Sequence, residues 1–234
     1  MPMAPRTRRP ARRREPARRE PLSRERVLAA ALELADSEGL EALSMRRLGS
    51  ALGVEAMSLY NHVRNKDEVL DGLVDVVFGE IDLPAGAGWR TAMRRRAVSV
   101  REMLRQRPWA LGLMESRRRP GPANLRHHDA VLGILRSAGF SVETAGHAYS
   151  VLDAYVYGFA LNEQSLPLDS PGDVAQVGAA ILQQNPMAAY PNLAEFISKN
   201  AMRPGYSFGA EFDYGLDLVL DGLERALGRR RTAN

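Results

Sequence analysis

The chain has 234 residues, 45% of them apolar, a formal net charge of +4 and no cysteine. That length carries one or two domains with a real hydrophobic core. Without cysteine there is no disulfide framework, thiolate-held zinc, iron–sulfur cluster or thiol nucleophile, and only four histidines remain as soft ligands. No metal or cofactor is expected.

The charge is unevenly placed. Residues 1–21 hold eight Arg, five Pro and two acids, a net +6, so the other 213 residues carry a net −2. So proline-rich and apolar-poor a stretch reads as a disordered basic arm. It has no apolar core of a secretory signal, and no later apolar run reaches the ~20 residues of a membrane span. A soluble, cytoplasmic protein is expected. A basic arm beside a folded domain suits a polyanion, although a merely solubilising terminus has the same composition.

Helix signals dominate from Leu22 onward. Ser23 reads as an N-cap, with Leu22 and Val27 at staple positions, and the apolar period runs to a stop at Gly39. Ser44 opens a second helix, with Leu43 and Leu48 at the staple positions, that stops at Gly53. A third short helix covers about Glu55–His62, and Asn65 with Glu68 reads as a capping box opening a helix to about Ile81. The stretch Asp82–Gly88 reads as a linker. Helices follow at about Trp89–Arg107, Pro108–Glu115, Ala123–Ala138, Val142–Leu166, Asp173–Gln184, Asn192–Ala201 and Phe208–Leu227. No strand signal appears. The fold is all-α: a basic arm at 1–21, a three-helix N-terminal domain at 22–66, a connecting helix at 67–81, a larger helical domain at 82–228 and a basic tail at 229–234.

Two short helices joined at Gly53 form the sharpest pattern. Leu48, Leu52, Val54 and Leu59 pack one against the other, and the second helix leaves Ala56, Met57, Ser58, Tyr60, Asn61 and His62 outward. Such a small, partly polar face suits a major groove, with Arg46, Arg64 and Lys66 flanking it. The residues alone leave open an αα-corner of an ordinary helical domain. Region 22–66 is neutral, so bulk charge does not decide between them.

The runs Leu43–Leu48, Leu52–Val54 and, above all, Ser58–Lys66 (SLYNHVRNK) resemble the DNA-binding domain of the TetR family of bacterial transcriptional repressors, near its tetracycline-repressor branch. Gly139–Ser141, Tyr155–Pro167 and Phe212–Leu227 resemble the ligand-binding and dimerisation domain of that branch. The resemblance implies double-stranded operator DNA and a small organic effector as partners, a homodimer, and no enzymatic activity. It implies a base contact from Arg46, thymine and phosphate contacts from Ser58 and Tyr60, and further phosphate contacts from His62 and Lys66. Met45, Ala56, Met57 and Asn61 complete the expected DNA-binding face. Ala56 and Met57 stand where tetracycline repressors have Gln and Pro, and Met45 replaces a Thr, so base preference is altered.

Expected pocket residues are Phe78, Trp89, Met93, Trp109, Met114, His128, Tyr149, Tyr155 and Asn162; each also reads as ordinary helical core. The His and Glu with which tetracycline repressors hold a drug–magnesium chelate fall at Glu115 and Asn162. A metal-free, mostly apolar effector is therefore the better expectation. The last helix carries a stripe of Phe212, Leu216, Val219, Leu220 and Leu223. With Tyr155 of the Val142–Leu166 helix, the resemblance assigns that stripe to an intersubunit four-helix bundle. Dimerisation would set two recognition helices ~34–36 Å apart, or at a larger spacing on a longer palindromic operator. The sign of regulation stays open between repressor, activator and co-repressor-dependent regulator. A helical enzyme using His128 with Glu163 or Asp153 lacks any catalytic motif.

Overall fold

The computed structural model describes residues 21–83, 86–117, 119–166 and 173–231; the basic arm up to Glu20 and the last three residues of the tail lie outside them. Among the described residues the elements are helices and turns. In chain order they are α1 (Arg24–Glu38), α2 (Met45–Leu52), α3 (Ala56–Leu59), α4 (Lys66–Glu80), α5 (Trp89–Gln106), α6 (Pro108–Ser116), α7 (Pro122–Ser137), α8 (Val142–Ser165), α9 (Asp173–Gln184), α10 (Pro191–Phe196) and α11 (Glu211–Arg231).

The starts follow from capping chemistry. The Ser23, Ser44, Asn65 and Ser141 side chains accept from the N–H three residues on, at 3.3, 3.2, 2.9 and 3.1 Å. Each satisfies one of the N–H groups that a helix leaves without a partner. Pro108 and Pro122 open α6 and α7 at the position where no N–H is needed. Gly53 stops α2 in the left-handed region at φ 66, ψ 36, which a residue with a Cβ adopts only under strain.

Three local expectations need correction. The third helix is a single turn, because residues 60–62 close onto Met57, Ser58 and Leu59 by three-residue turns that tuck Val63 into the core. The capping box at Asn65 is half formed: Glu68 accepts from the Arg64 N–H at 2.9 Å rather than from the cap's own. The segment expected as one helix over Asn192–Ala201 is α10 followed by a wide π turn at Ile197–Ala201.

One apolar core runs through the molecule, from Val27, Leu48 and Leu59 in the head to Val156, Leu216 and Leu220 in the body. Helix α4 belongs to both regions, packing on α1 at one side and on α6 and α7 at the other. It therefore bridges the two regions, with α1 in turn packing on α2.

Candidate nucleic-acid interface and effector site

In the head, α2 and α3 approach so closely that a Cβ on Gly49 would come 2.8 Å from the Val54 carbonyl oxygen and 3.0 Å from the Ala56 nitrogen. Gly49 is a second requirement of the turn beside Gly53, and its only sequence signal is a glycine inside a short helix. This junction buries Leu48 and Leu59 and turns Met57 outward, 75% exposed. Tyr60 and Asn61 are also exposed; Ala56, Ser58 and His62 are half-buried on the same segment. Met45 is half-buried against the core, while Arg46 beside it is exposed.

The cations flanking this face differ in their partners. Arg47 pairs with Glu38, and Arg64 pairs with Glu68 at 3.0 Å. Arg46 and Lys66 make no ion pair among the described residues, so both charges remain available to a polyanion. His62 lies in the field of Glu25. The backbone N–H of Glu25 itself, then the Ser23 hydroxyl, hold the Glu25 carboxyl below the usual range.

Helix α6 fastens the head to the body at both ends. At its start, Arg107 Nε lies 3.1 Å from both carboxylate oxygens of Asp36 in α1, and the same guanidinium pairs with Glu80 of α4. Trp109 Nε1 donates to Asp36 at 2.9 Å. At its end, Arg117 Nε donates to Asp71 at 2.6 Å and Nη1 to Asp67 at 3.1 Å, both on α4. One turn further along α4, Asp75 accepts from the Asn124 N–H at 2.9 Å and so caps α7. That contact requires Gly121, where a Cβ would come 2.3 Å from Asp75.

Behind α4 lies a buried polar cluster. Arg96 of α5, 1% exposed, donates from Nε to His127 Nε2 of α7 at 2.9 Å. His127 therefore carries its proton on Nδ1. Burial first, then Arg96 and His128, push the His127 pKa down to about 3, so the ring is neutral. Arg96 Nη2 lies 2.7 Å from Asp153 Oδ1 of α8, and the guanidinium sits 5.3 Å from the Tyr149 ring centre. The Tyr149 hydroxyl bonds to His128 Nδ1. Burial lowers the His128 pKa and raises those of Tyr149 and Tyr157. The Phe78 ring of α4 completes the group, 5.5 and 5.6 Å from the two imidazoles.

Of the expected pocket residues, Phe78, His128 and Tyr149 thus meet, with Met93 one turn before Arg96. The others sit elsewhere. Trp109 serves the α1 contact, and Met114 is half-buried beside the core. Trp89 packs edge-on against Phe140 at 5.1 Å. Tyr155 stacks on Phe212 and donates to its carbonyl at 2.8 Å, and Asn162 is exposed. Arg96, His127 and Tyr157 are not among the residues expected from the sequence, and Asp153 figures there only as a base for the enzymatic alternative. One signal was present: Arg96 interrupts the inward stripe of Ala92, Met93, Ala97 and Val100.

The expected dimer stripe also needs correction. Phe212, Leu216, Leu220 and Leu223 are buried within this chain, where α11 packs on α8, and have almost no surface left for a second chain. Tyr155 and Val219 are half-buried. The apolar groups left outward on α11 are Tyr214, 67% exposed, and Leu218, 55% exposed; on α8 they are Val142, at its first position, and Val151 and Leu161 further along. The acids of α11 do more than keep its surface polar. Arg90 of α5 reaches Asp217, Asp221 and Glu224 at 3.2, 2.6 and 3.2 Å.

Comparison with known proteins bears on this arrangement. Residues 27–73 match the family described as bacterial regulatory proteins, tetR family, and residues 83–227 match the tetracyclin repressor-like C-terminal domain. The chain is 34% identical over 218 residues to the HTH-type transcriptional repressor DrrR1 of Streptomyces coeruleorubidus, covering 88% of this chain and 79% of that one. It is 31% identical over 208 residues to the class C tetracycline repressor protein of Escherichia coli, covering 86% and 90%. Among solved structures, the TetR family protein ActR of Streptomyces coelicolor in complex with actinorhodin superposes with a TM-score of 0.74 at 30% identity, over 89% of this chain and 99% of that one. With a helix-turn-helix head and an all-helical body both matched, the chain belongs to the TetR family, in its tetracycline-repressor-like branch, a family of transcriptional regulators and not of enzymes.

Proposed function

We propose that the protein is a ligand-responsive repressor that binds a palindromic operator as a homodimer and is released from it by a small organic effector. The observation that carries this reading is the course of α4. It begins at Lys66, beside the exposed face of Tyr60 and Arg46, and ends near Phe78 in the buried polar cluster, with Arg107 and Arg117 clamping it to α6 on the way. A ligand that moves α6 or α7 moves the reading head. The repressor names of relatives and the actinorhodin complex of ActR support the same reading.

In this scheme Arg46, Ser58 and Tyr60 read the groove, His62 and Lys66 contact phosphate, and Met45, Ala56, Met57 and Asn61 shape the face between them. Two copies meet through the outward groups of α8 and α11, Val151, Leu161, Tyr214 and Leu218, which continue the two helices already packed together. The neutral head leaves long-range attraction to the arm at 1–21, whose eight arginines add salt-sensitive affinity. Effector binding changes operator affinity by the difference in its affinity for the two states; ~1–3 kcal/mol of coupling is ~5–150-fold.

Gel shift against the gene's own upstream region tests the scheme. A slower band at low salt is expected, with Tyr60→Ala weakening it by about 1–3 kcal/mol while the circular dichroism stays unchanged. Removal of residues 1–21 flattens the salt dependence. Absence of any sequence-selective band at low salt overturns the reading.

A further inference from the structure

The turn that faces outward from the head carries the most accessible sulfur among the described residues. The sequence has nine methionines and no cysteine, so mild two-electron oxidation of its sulfur falls on thioethers alone. The described methionines are very unequally placed. Met93 and Met103 are buried, and Met45, Met114 and Met187 are half-buried. Met202, just after the π turn, is 37% exposed, whereas Met57 is 75% exposed. Access of a small oxidant to sulfur therefore favours Met57.

Met57 is also central to the face that the head presents to DNA. It is the second residue of the single-turn α3. The Tyr60 N–H donates to its carbonyl at 3.3 Å, and Tyr60, 44% exposed, follows it three residues on along the same side. Leu59 is the residue that anchors this turn in the core, so an altered Met57 side chain leaves the fold standing. Against a duplex the consequence is different. A thioether offers apolar contact, of the kind a thymine methyl provides in return. A sulfoxide sets a strong acceptor at the same point. Guanine and thymine edges present only acceptors to the major groove, apart from the thymine methyl. There the sulfoxide oxygen gives up its water without gaining a donor, which costs free energy.

We propose that Met57 is an oxidation site through which a peroxide weakens DNA binding. A lone pair of Met57 Sδ attacks one peroxide oxygen, so that an S–O bond forms and the O–O bond breaks. The transferred oxygen hands its proton to the departing hydroxide, which leaves as water. Sulfur loses two electrons and the peroxide gains them. Methionine sulfoxide reductase returns the thioether, so the change is reversible. This control rests on the operator reading above and acts on the head directly, without passing through the body or through α4.

The test begins with the full chain, treated with hydrogen peroxide until Met57 is partly converted and passed over immobilised DNA from the gene's own upstream region. Peptide mass spectrometry then compares the bound and unbound fractions. Met57 sulfoxide is expected to be enriched in the unbound fraction, and Met202 sulfoxide to be evenly divided. In gel shift the oxidised chain should bind at least about fivefold more weakly, the cost of a polar group buried without a partner. Far-UV circular dichroism should be unchanged, and reductase treatment should restore the affinity. Met57→Leu, whatever its own affinity, should bind equally before and after peroxide; if that variant does not bind, the fractionation of the unaltered chain decides. Equal Met57 sulfoxide in both fractions overturns the proposal, as does a peroxide effect of the same size in Met57→Leu. Loss of helical signal on oxidation also overturns it, since the damage would then lie in the fold. A selective band that peroxide leaves untouched removes the oxidation site and keeps the repressor. Absence of a selective band before peroxide removes the repressor reading, and the oxidation site with it.

Discussion

The reading head and the cluster behind α4 both carry cations, but on opposite sides of the surface. In the head, Arg46 and Lys66 are exposed and make no ion pair among the described residues, while neighbouring Arg47 and Arg64 are tied to Glu38 and Glu68. Water solvates the unpaired pair of cations at little cost until a phosphate displaces it. In the body, Arg96 is buried and must be compensated at once by Asp153 and His127, because an isolated buried charge costs several kcal/mol. On the function proposed above, the first region would bind by adding partners to solvated charge, whereas the second is already desolvated and nearly balanced within its own chain. Most other arginines of the body, such as Arg90, Arg101, Arg107 and Arg117, are absorbed by carboxylates.

The sharpest way to break this contrast is at Arg96. Arg96→Leu leaves Asp153 buried and uncompensated, and a loss of about 3–5 kcal/mol is expected in denaturant unfolding. Removing both charges with Arg96→Leu and Asp153→Leu should recover most of it. Equal losses in single and double variants would mean that the pair is not a buried balanced unit.

Next in size is Gly49→Ala. The added Cβ meets the backbone of Val54 and Ala56, which cannot swing aside as a flexible side chain would. A loss of about 1–3 kcal/mol is expected, felt in operator affinity, while the far-UV circular dichroism of the folded chain is unchanged. Loss of helical signal together with operator affinity would show that head and body do not respond separately.

Acid should act on the body first. The pKa of His127 falls from 6.5 in the open chain to about 3 in the fold. The folded state therefore binds fewer protons than the unfolded one between these values. Stability is full above about pH 6.5 and declines as pH drops toward 3, by up to about 1.4 kcal/mol per pH unit from this group. Thermal melts of the protein and of His127→Asn across that window should converge at low pH; parallel curves would remove the histidine from the account.

The smallest expected effect on stability is at the link between the regions. Arg117→Ala removes the pairs with Asp67 and Asp71 and should cost up to about 1 kcal/mol, since the guanidinium is partly exposed. Its larger signature is functional: operator affinity without effector persists, while the effector-induced loss of affinity shrinks. Undiminished release would place the coupling in Arg107 or in the Asp75 cap of α7 instead.

Legibility in the sequence followed interaction range. Ser23, Ser44, Asn65 and Ser141 were readable as caps because the bond each makes spans three residues. Gly53 was readable for the same reason, its φ being a property of one residue. Gly49 was not, since it answers to Val54 and Ala56 across a turn. Arg96 had a local trace, a charge set in an apolar stripe, but its partners lie 31 and 57 residues away. The Phe212–Leu223 stripe shows the limit most clearly. Periodicity established that one face of α11 is apolar, and packing alone decided that its own α8 covers it and leaves Tyr214 and Leu218 outward.

By itself, then, the sequence determined most of the helical elements, the capped starts of α1, α2, α4 and α8 and the helix-turn-helix, which rest on hydrogen bonds and backbone preferences acting over a few residues; the family was legible through the resemblance of whole runs such as Ser58–Lys66. Only the tertiary structure decided which arginines are spent in ion pairs and which remain open, which aromatic groups line the cluster behind α4, and which apolar face is interior. Those are questions of burial, and burial is settled by segments distant in the chain, where desolvation gives each charge and ring its final worth.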